Sequence, residues 1–348
     1  MTSTPSVFLL GATGYVGGSL LVTLLKEYPS ATFTGLVRNS KSAEAVKAVS
    51  PDRINTILGT HSDASIIEAE IGKADITINA ASCDDMELMD NIINGFKKKS
   101  QKGILIHTRQ PNSGSAVILA DDIKGPFPGK LDERGSKIWD DTKTEDLRAI
   151  PPHALHRPAE IAVIEAHDQG ILDGYIICPG LIYGPGIGPV KTTSIQIPLL
   201  LQVALRRRQV FFAGDGSNIW CNIHLQDLIQ IYTHVINHAL SVGESANKVD
   251  PYSNYYFAAS SENSIKEIAN LIAATLHSKG LVDSPDARGL SPEDPDENLV
   301  AMVLGHTSRA VSVRAKNLGW SPVEKKITET GVIGAEIENI LKTTQATS

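Results

Sequence analysis

The chain has 348 residues, a formal net charge of −7, and 42% hydrophobic against 20% charged residues. That length supports a sizeable buried core in one large or two moderate domains, and the balance is that of an ordinary soluble globular protein. It excludes a membrane span, since no apolar run approaches about 20 residues, and it argues against a nucleic-acid surface, which needs a concentrated basic footprint.

The start, MTSTPS, carries no basic region and leads directly into a strand pattern, so no signal peptide is expected. Cys83, Cys178 and Cys221 are scattered without metal-ligand spacing. No metal is therefore expected, and the compartment is expected to be reducing and cytoplasmic. Arg206, Arg207 and Arg208 read as the solvated end of a helix.

In chain order, short apolar runs predict strands over Val7–Leu10, Thr32–Val37, Ile54–Leu58, Ile76–Asn79, Ile104–His107 and Tyr175–Cys178. Helices are predicted between them, over Val16–Glu27, Ser42–Val49, Ala64–Glu70, Glu87–Lys99 and Ala159–His167. This alternation predicts an α/β fold, a doubly wound parallel (Rossmann) sheet buried on both faces. After Pro179 the character changes. A helix over Ile197–Arg208, a strand over Val210–Phe212, a strand-like NYYFAAS, a helix over Ile265–His277 and a last helix over Ile327–Leu341 predict a smaller C-terminal α+β substrate domain. The loop from Asp283 to Asp296 is rich in Pro and Asp and is expected to be mobile and to face solvent. The division is 1–180 for the dinucleotide-binding domain and 181–348 mainly for the substrate domain, with elements free to return to the first.

The stretch GATGYVGG places Gly11, Gly14 and Gly17 directly after the first strand and at the opening of a helix. Gly11 permits the tight turn, Gly14 lets the backbone approach a pyrophosphate, and Gly17 allows close helix packing. The helix N-terminus offers unpaired N–H groups and partial positive charge to the phosphates. An acidic residue at the end of the second strand would favour NAD(H). The sequence instead reads GLVRNSKS, with Arg38 and Lys41 near that place, so NADP(H) is expected over NAD(H). Asp63 and the run Asn79–Ser82 follow the third and fourth strands, at the sheet end where ligands bind.

The motifs GATGYVGG, LVRN, NAAS, ICPGLIYGPG, GDGSNIWCNIHLQDL and RAKNLGWSP resemble the short-chain dehydrogenase/reductase superfamily, in its extended or atypical branch with epimerase- and dehydratase-like members. The resemblance spans almost the whole chain and implies an active site between a cofactor sheet and a C-terminal substrate domain. It implies that Gly11, Thr13, Gly14, Tyr15 and Val16 line the pyrophosphate and that Arg38 faces the adenosine ribose. Ala80 and Ala81 would lie near the middle of the cofactor, with Pro179, Gly180 and Leu181 beside the nicotinamide. Tyr183 and His224 are matched residue types, each as easily structural as functional.

The sequence departs from this family where the chemistry resides. Members carry a tyrosine and, four residues on, a lysine that lowers its pKa. With Glu160 taken as the glutamate that follows, His156 stands in the lysine place and Pro152 in the tyrosine place. No tyrosine occurs between Tyr28 and Tyr175. His153, His156, Arg157 and Glu160 would share one helical face, making His153 or His156 the replacement proton donor. That face is lost if the helix starts as late as Arg157, and a structural His–Arg–Glu cluster is the competing reading. Ser113 or Ser115, ahead of Thr108, is expected to hold a substrate oxygen. Trp220 stands where sugar-nucleotide members carry a diphosphate-binding arginine. With Tyr183, Phe211 and Phe212 it suggests an apolar pocket, unless it is simply core.

The expected function is that of an enzyme, an NADP(H)-dependent oxidoreductase acting on a small apolar carbonyl or alcohol. Two alternatives stay open: an NADP(H)-binding regulatory or sensor protein with altered catalysis, and an isomerase, epimerase or lyase that keeps the nicotinamide. The expected partner is a small-molecule substrate, with no nucleic acid and no membrane. Nothing fixes the oligomeric state, and a homodimer stays open.

Overall fold

A computed structural model describes residues 5–109, 137–242, 249–291 and 304–347, together with 293, 294, 296, 299 and 300. Ser113 and Ser115 lie outside the described residues.

Strands β1 (Ser6–Leu10), β2 (Thr32–Val37), β3 (Ile54–Leu58), β4 (Ile76–Asn79) and β5 (Ile104–Thr108) alternate with helices α1 (Tyr15–Glu27), α2 (Ser40–Ala48), α3 (Ala64–Lys73) and α4 (Met86–Lys98). After the short β6 (Trp139–Asp140) and α5 (Thr144–Arg148) come α6 (Arg157–Asp168) and β7 (Asp173–Pro179). Continuous apolar strands arise because successive side chains enter different cores. Val7 and Leu9 pack into one cluster with α1, while Phe8 and Leu10 pack into another with α3 and α4.

The later elements are β8 (Leu181–Tyr183), α7 (Gln196–Arg207), β9 (Phe211–Ala213), β10 (Ile219–His224), α8 (Leu225–Val242), β11 (Tyr255–Ala258), β12 (Ser261–Ser264), α9 (Ile265–Ser278), β13 (Arg288–Leu290) and β14 (Ala310–Val311). The main sheet has seven parallel strands in the order β11-β7-β5-β4-β1-β2-β3. Its direction reverses between β1 and β4, the switch point where a doubly wound sheet opens a ligand crevice. The doubly wound α/β class read from the sequence is therefore the observed one. The sheet β12-β10-β8 and the pair β9–β13 frame a third core containing Leu201, Trp220, Ile272 and Ile337. From beyond position 180, α8 packs on the α1 side of the main sheet and β11 extends its edge.

Two local expectations are corrected. The acidic loop faces solvent as expected, but its described residues are tied down: β13 pairs with β9, Asp294 accepts from Arg207 at 2.6 Å, and Asp283 accepts from Arg208 at 2.8 Å. The arginine run thus finds carboxylates rather than only water. The last helix begins at Val332, not Ile327, because Ile327 is fully buried in the third core ahead of it and Gly331 takes φ +88°.

Candidate functional site

The loop after β1 is shaped by its glycines. Gly11 has φ +93°, and a Cβ there would sit 2.4 Å from the carbonyl oxygen of Ala80. A Cβ on Gly17 would sit 2.3 Å from the carbonyl oxygen of Gly11. Only glycine allows this approach of β1, α1 and the turn after β4. Gly14 N–H donates to Gly11 O at 2.8 Å and closes the turn. Gly14 is also the N-cap of α1, with no side-chain cap and no acidic residue in the first turn. The helix end is thus left electropositive, ready for an anion.

This helix end opens into a cavity of about 500 Å³. Its wall contains Gly11, Thr13, Gly14, Tyr15 and Val16 from the first loop, Arg38 after β2, Gly59 and His61 after β3, and Ala80 and Ala81 after β4. The opposite wall comes from Ile182, Lys191, Thr193, Ser194, Ile195 and Gln196. The NAAS turn is braced by Asn79, whose Oδ1 accepts from Ala81 N at 3.1 Å and whose Nδ2 donates to Ser82 O at 3.2 Å.

Eight residues expected at the cofactor therefore line one cavity: Gly11, Thr13, Gly14, Tyr15, Val16, Arg38, Ala80 and Ala81. Gly17 supports the loop from behind. Pro179 and Leu181 are buried beneath the wall, where Leu181 joins the third core and its neighbour Ile182 faces the cavity. Lys41 is exposed and outside the lining, and Asp63 turns inward on its own loop. The Asp63 carboxylate accepts from Thr60 N at 2.6 Å and Thr60 Oγ1 at 2.9 Å, which holds it below its ordinary pKa.

Sequence reasoning missed His61, Lys191, Thr193, Ser194 and Gln196. His61 is half-buried, and its Nδ1 lies 2.8 Å from Asp85 Oδ2. Gln196 is 1% exposed, and its Nε2 has no hydrogen-bond partner among the described residues. A buried donor left unpaired costs about 1–3 kcal/mol, and this one belongs to a residue of the cavity wall. The signal was weak, since His61 sits in a short turn after β3, the others follow a Gly- and Pro-dense turn, and all reach the cavity only through tertiary folding.

The region expected to carry the chemistry is built differently from a shared helical face. Because α6 starts at Arg157, with Pro158 in its first turn, His153 is exposed on the preceding loop and His156 caps the helix. His156 has φ +67°, a left-handed conformation that costs about 1 kcal/mol or more in a non-glycine residue. Its buried imidazole Nδ1 lies 2.5 Å from Asp84 Oδ1 and 3.1 Å from Cys83 Sγ. Glu160 faces elsewhere, accepting from Arg109 at 2.6 Å, Arg157 at 3.0 Å and the Tyr255 hydroxyl at 2.9 Å. All four of these side chains are buried. Breaking such a buried ionic cluster leaves an uncompensated charge, so it anchors α6 to β5 and β11.

Thr108 is buried and shares a 2.6 Å hydrogen bond with the Tyr232 hydroxyl. Tyr183 and Trp220 are also buried, in the third core. The Tyr183 hydroxyl donates to Lys325 O at 2.7 Å and the Trp220 Nε1–H to His306 O at 2.5 Å. Burial pushes the hydroxyls of Tyr15, Tyr183 and Tyr232 above their ordinary pKa, so none of the three is tuned as an acid for neutral pH.

No family model matches the chain. Oxidase ucsJ from Acremonium sp is 27% identical over 337 residues, covering 92% of this chain and 93% of that protein. Among solved structures, vestitone reductase from alfalfa superposes with a TM-score of 0.61 at 14% identity, covering 98% of this chain and 99% of the other. Yeast methylglyoxal/isovaleraldehyde reductase Gre2, complexed with NADPH, gives 0.57 at 13% identity over 98% and 99%. A double mutant of DesIV, a dTDP-glucose 4,6-dehydratase from Streptomyces venezuelae with NAD bound, gives 0.64 at 15% identity over 98% of each chain. The chain shares its fold with these two reductases and this dehydratase.

Proposed function

We propose that the protein is an enzyme, an NADP(H)-dependent oxidoreductase that reduces or oxidises a small apolar carbonyl or alcohol. One observation carries the reading. The cavity at the open end of α1 is lined by Arg38, Lys191 and His61 and by no carboxylate among the described residues. The two cations, Arg38 and Lys191, suit a dinucleotide carrying a pyrophosphate and a further ribose phosphate. Arg38 would pair the 2′-phosphate, the amides after Gly11 would hold the pyrophosphate, and Gln196 would donate to an acceptor further along the cofactor. The bound nicotinamide supplies hydride transfer. The protein's part is to fix the ring against the substrate and to keep water from it. The coarser reading, nicotinamide-cofactor chemistry on a small molecule, is supported by the NADPH-bound and NAD-bound structures that share the fold.

A second reading is favoured by the missing Tyr-x-x-x-Lys pair, whose places hold Pro152 and His156. In it the protein binds NADP(H) as a regulatory sensor. A panel of aliphatic and aromatic aldehydes, ketones and alcohols, assayed with NADPH or NADP⁺, decides between them. Turnover of at least one apolar compound supports the oxidoreductase, whereas tight NADPH binding without turnover across the panel supports the sensor.

A further inference from the structure

The Cys83 thiol, the Asp84 carboxylate and the His156 imidazole meet at one point. Their ligand atoms all lie within 4.8 Å of one another, although Cys83 and His156 are far apart in sequence. A Cys–His–Asp relay would engage the two ring nitrogens separately, as a nucleophile–base–orienter series does. Here both neighbours converge on the same atom, Nδ1, with Sγ at 3.1 Å and Asp84 Oδ1 at 2.5 Å. The three possible ligand atoms thus face one another.

We propose that Cys83 Sγ, Asp84 Oδ and His156 Nδ1 form a three-ligand site for a divalent transition-metal ion of the zinc class, with a fourth position left open. The donor set suits zinc, which binds thiolate, imidazole and carboxylate at about 2.3, 2.0 and 2.0–2.2 Å. From those bond lengths, tetrahedral coordination needs S···N and N···O separations of roughly 3.6 and 3.3 Å, so the cluster has to open by about 0.5–0.8 Å. The outward Asp84, with half its side chain exposed, can supply that movement and an entry path, while Cys83 and His156 are fixed by burial. A thiolate and a carboxylate neutralise a dication. The nearby Arg109 cation is already paired with Glu160 at 2.6 Å.

A second, independent feature adjoins the cluster. His107 is fully buried at the end of β5. Its Nδ1 faces Asn79 Nδ2 at 3.2 Å, and its Nε2 has no partner among the described residues. Both Asp84 and His156 are close enough to act on it electrostatically. A buried unpaired ring nitrogen is costly unless a ligand or water completes it.

The site stands at the carboxyl end of β4 and the start of α6, two residues beyond the cavity-lining Ala81. This is the region in which the usual tyrosine acid is missing. Resting on the oxidoreductase reading, the ion's open position takes the substrate's carbonyl oxygen. The hydride leaves C4 of NADPH with its electron pair and bonds to the carbonyl carbon. The carbonyl π pair would move to the oxygen polarised by the ion, and a solvent water would protonate it, releasing hydroxide to the bulk, to give alcohol and NADP⁺.

The test is metal content. Full-length protein is loaded with zinc, freed of excess by gel filtration and measured by plasma mass spectrometry, alongside Cys83→Ala, Asp84→Asn and His156→Asn. Asparagine tolerates the left-handed backbone at position 156, so that variant keeps the helix start. Expected are about one equivalent in the wild type and below about a tenth in Cys83→Ala and His156→Asn, with NADPH affinity and far-ultraviolet dichroism unchanged. Cobalt substitution is expected to give a thiolate-to-metal charge-transfer band that Cys83→Ala removes. Less than a tenth of an equivalent in the wild type, or wild-type content in both of those variants, overturns the site. Because the metal is read without turnover, that failure leaves the cofactor reading standing, and absence of NADPH binding leaves the metal result standing.

Discussion

Glu336, on the closing helix Val332–Thr347, accepts a hydrogen bond from the Gly184 amide at 2.9 Å, and its other oxygen accepts from the Ser194 hydroxyl at 3.1 Å. The carbonyl of Gly184 in turn accepts from the Tyr15 hydroxyl at 2.5 Å. Gly184 therefore joins the last helix to the first, and Ser194 lies in the cavity wall. Burial raises the Glu336 pKa, but its two hydrogen bonds work against that shift. Replacing it with alanine strands the Gly184 amide, which costs about 1–3 kcal/mol. Glu336→Ala is expected to lower the urea midpoint accordingly and to weaken NADPH binding several-fold. An unchanged midpoint would show that this bridge contributes nothing.

Gly17→Ala places a Cβ against the Gly11 carbonyl, backbone on backbone, where no side chain can yield. Loss of NADPH affinity by about two orders of magnitude or more is expected from calorimetry. Gly72→Ala is the control. It lies inside α3 with nothing within 4 Å of the added carbon, so it is expected to gain up to about 1 kcal/mol and leave binding intact.

Arg38→Glu reverses the charge that directly follows β2 and is expected to cost NADPH at least about tenfold more than NADH. Such a shift follows from exchanging a phosphate partner for a ribose-hydroxyl partner. Parallel titrations of both cofactors measure it. Equal losses for the two would assign Arg38 to the adenine rather than to the 2′-phosphate.

The fold was legible because the strand runs feed two cores at once, and nothing but a sheet covered on both faces accommodates that. The glycine loop was legible because Gly11 and Gly17 answer a steric demand that no other residue meets. The second half was harder to read. Whether Trp220 and Tyr183 face a substrate or the interior is decided by β8, β10 and the carbonyls of His306 and Lys325, which are distant in sequence. The helix start was set by Pro158 and the left-handed His156, which moved both histidines off the face that their spacing suggested. The Cys83–Asp84–His156 cluster joins a turn after β4 to a helix cap, and no spacing rule relates the two.

Gln196→Ala removes the unpaired buried donor from the cavity wall. Affinity for NADPH is expected to fall about five- to tenfold, with the NADPH-to-NADH ratio unchanged, since a neutral amide does not read the 2′-phosphate. Stability without cofactor is expected to hold or rise, because an unsatisfied group has gone. Undiminished affinity would place that amide outside the ligand's reach.

His306 sits under the third core, and burial pulls its pKa down to about 4. The unfolded chain, with a value near 6.5, takes up the proton first as pH falls. The stability linked to the neutral ring is therefore complete above about pH 6.5 and is lost as pH drops toward 4, by up to roughly 3 kcal/mol. His306→Gln is expected to flatten the wild-type melting curve against pH within that window. His107, likewise pulled down to about 4, remains in the variant, so some acid sensitivity persists. Parallel wild-type and variant curves would contradict the assignment.

The most direct test of the whole reading is calorimetric titration of the purified protein with NADPH and NADH. Saturable one-to-one binding is expected, micromolar or tighter for NADPH and at least about tenfold weaker for NADH. Absence of heat with both cofactors would contradict a dinucleotide site at the open end of α1.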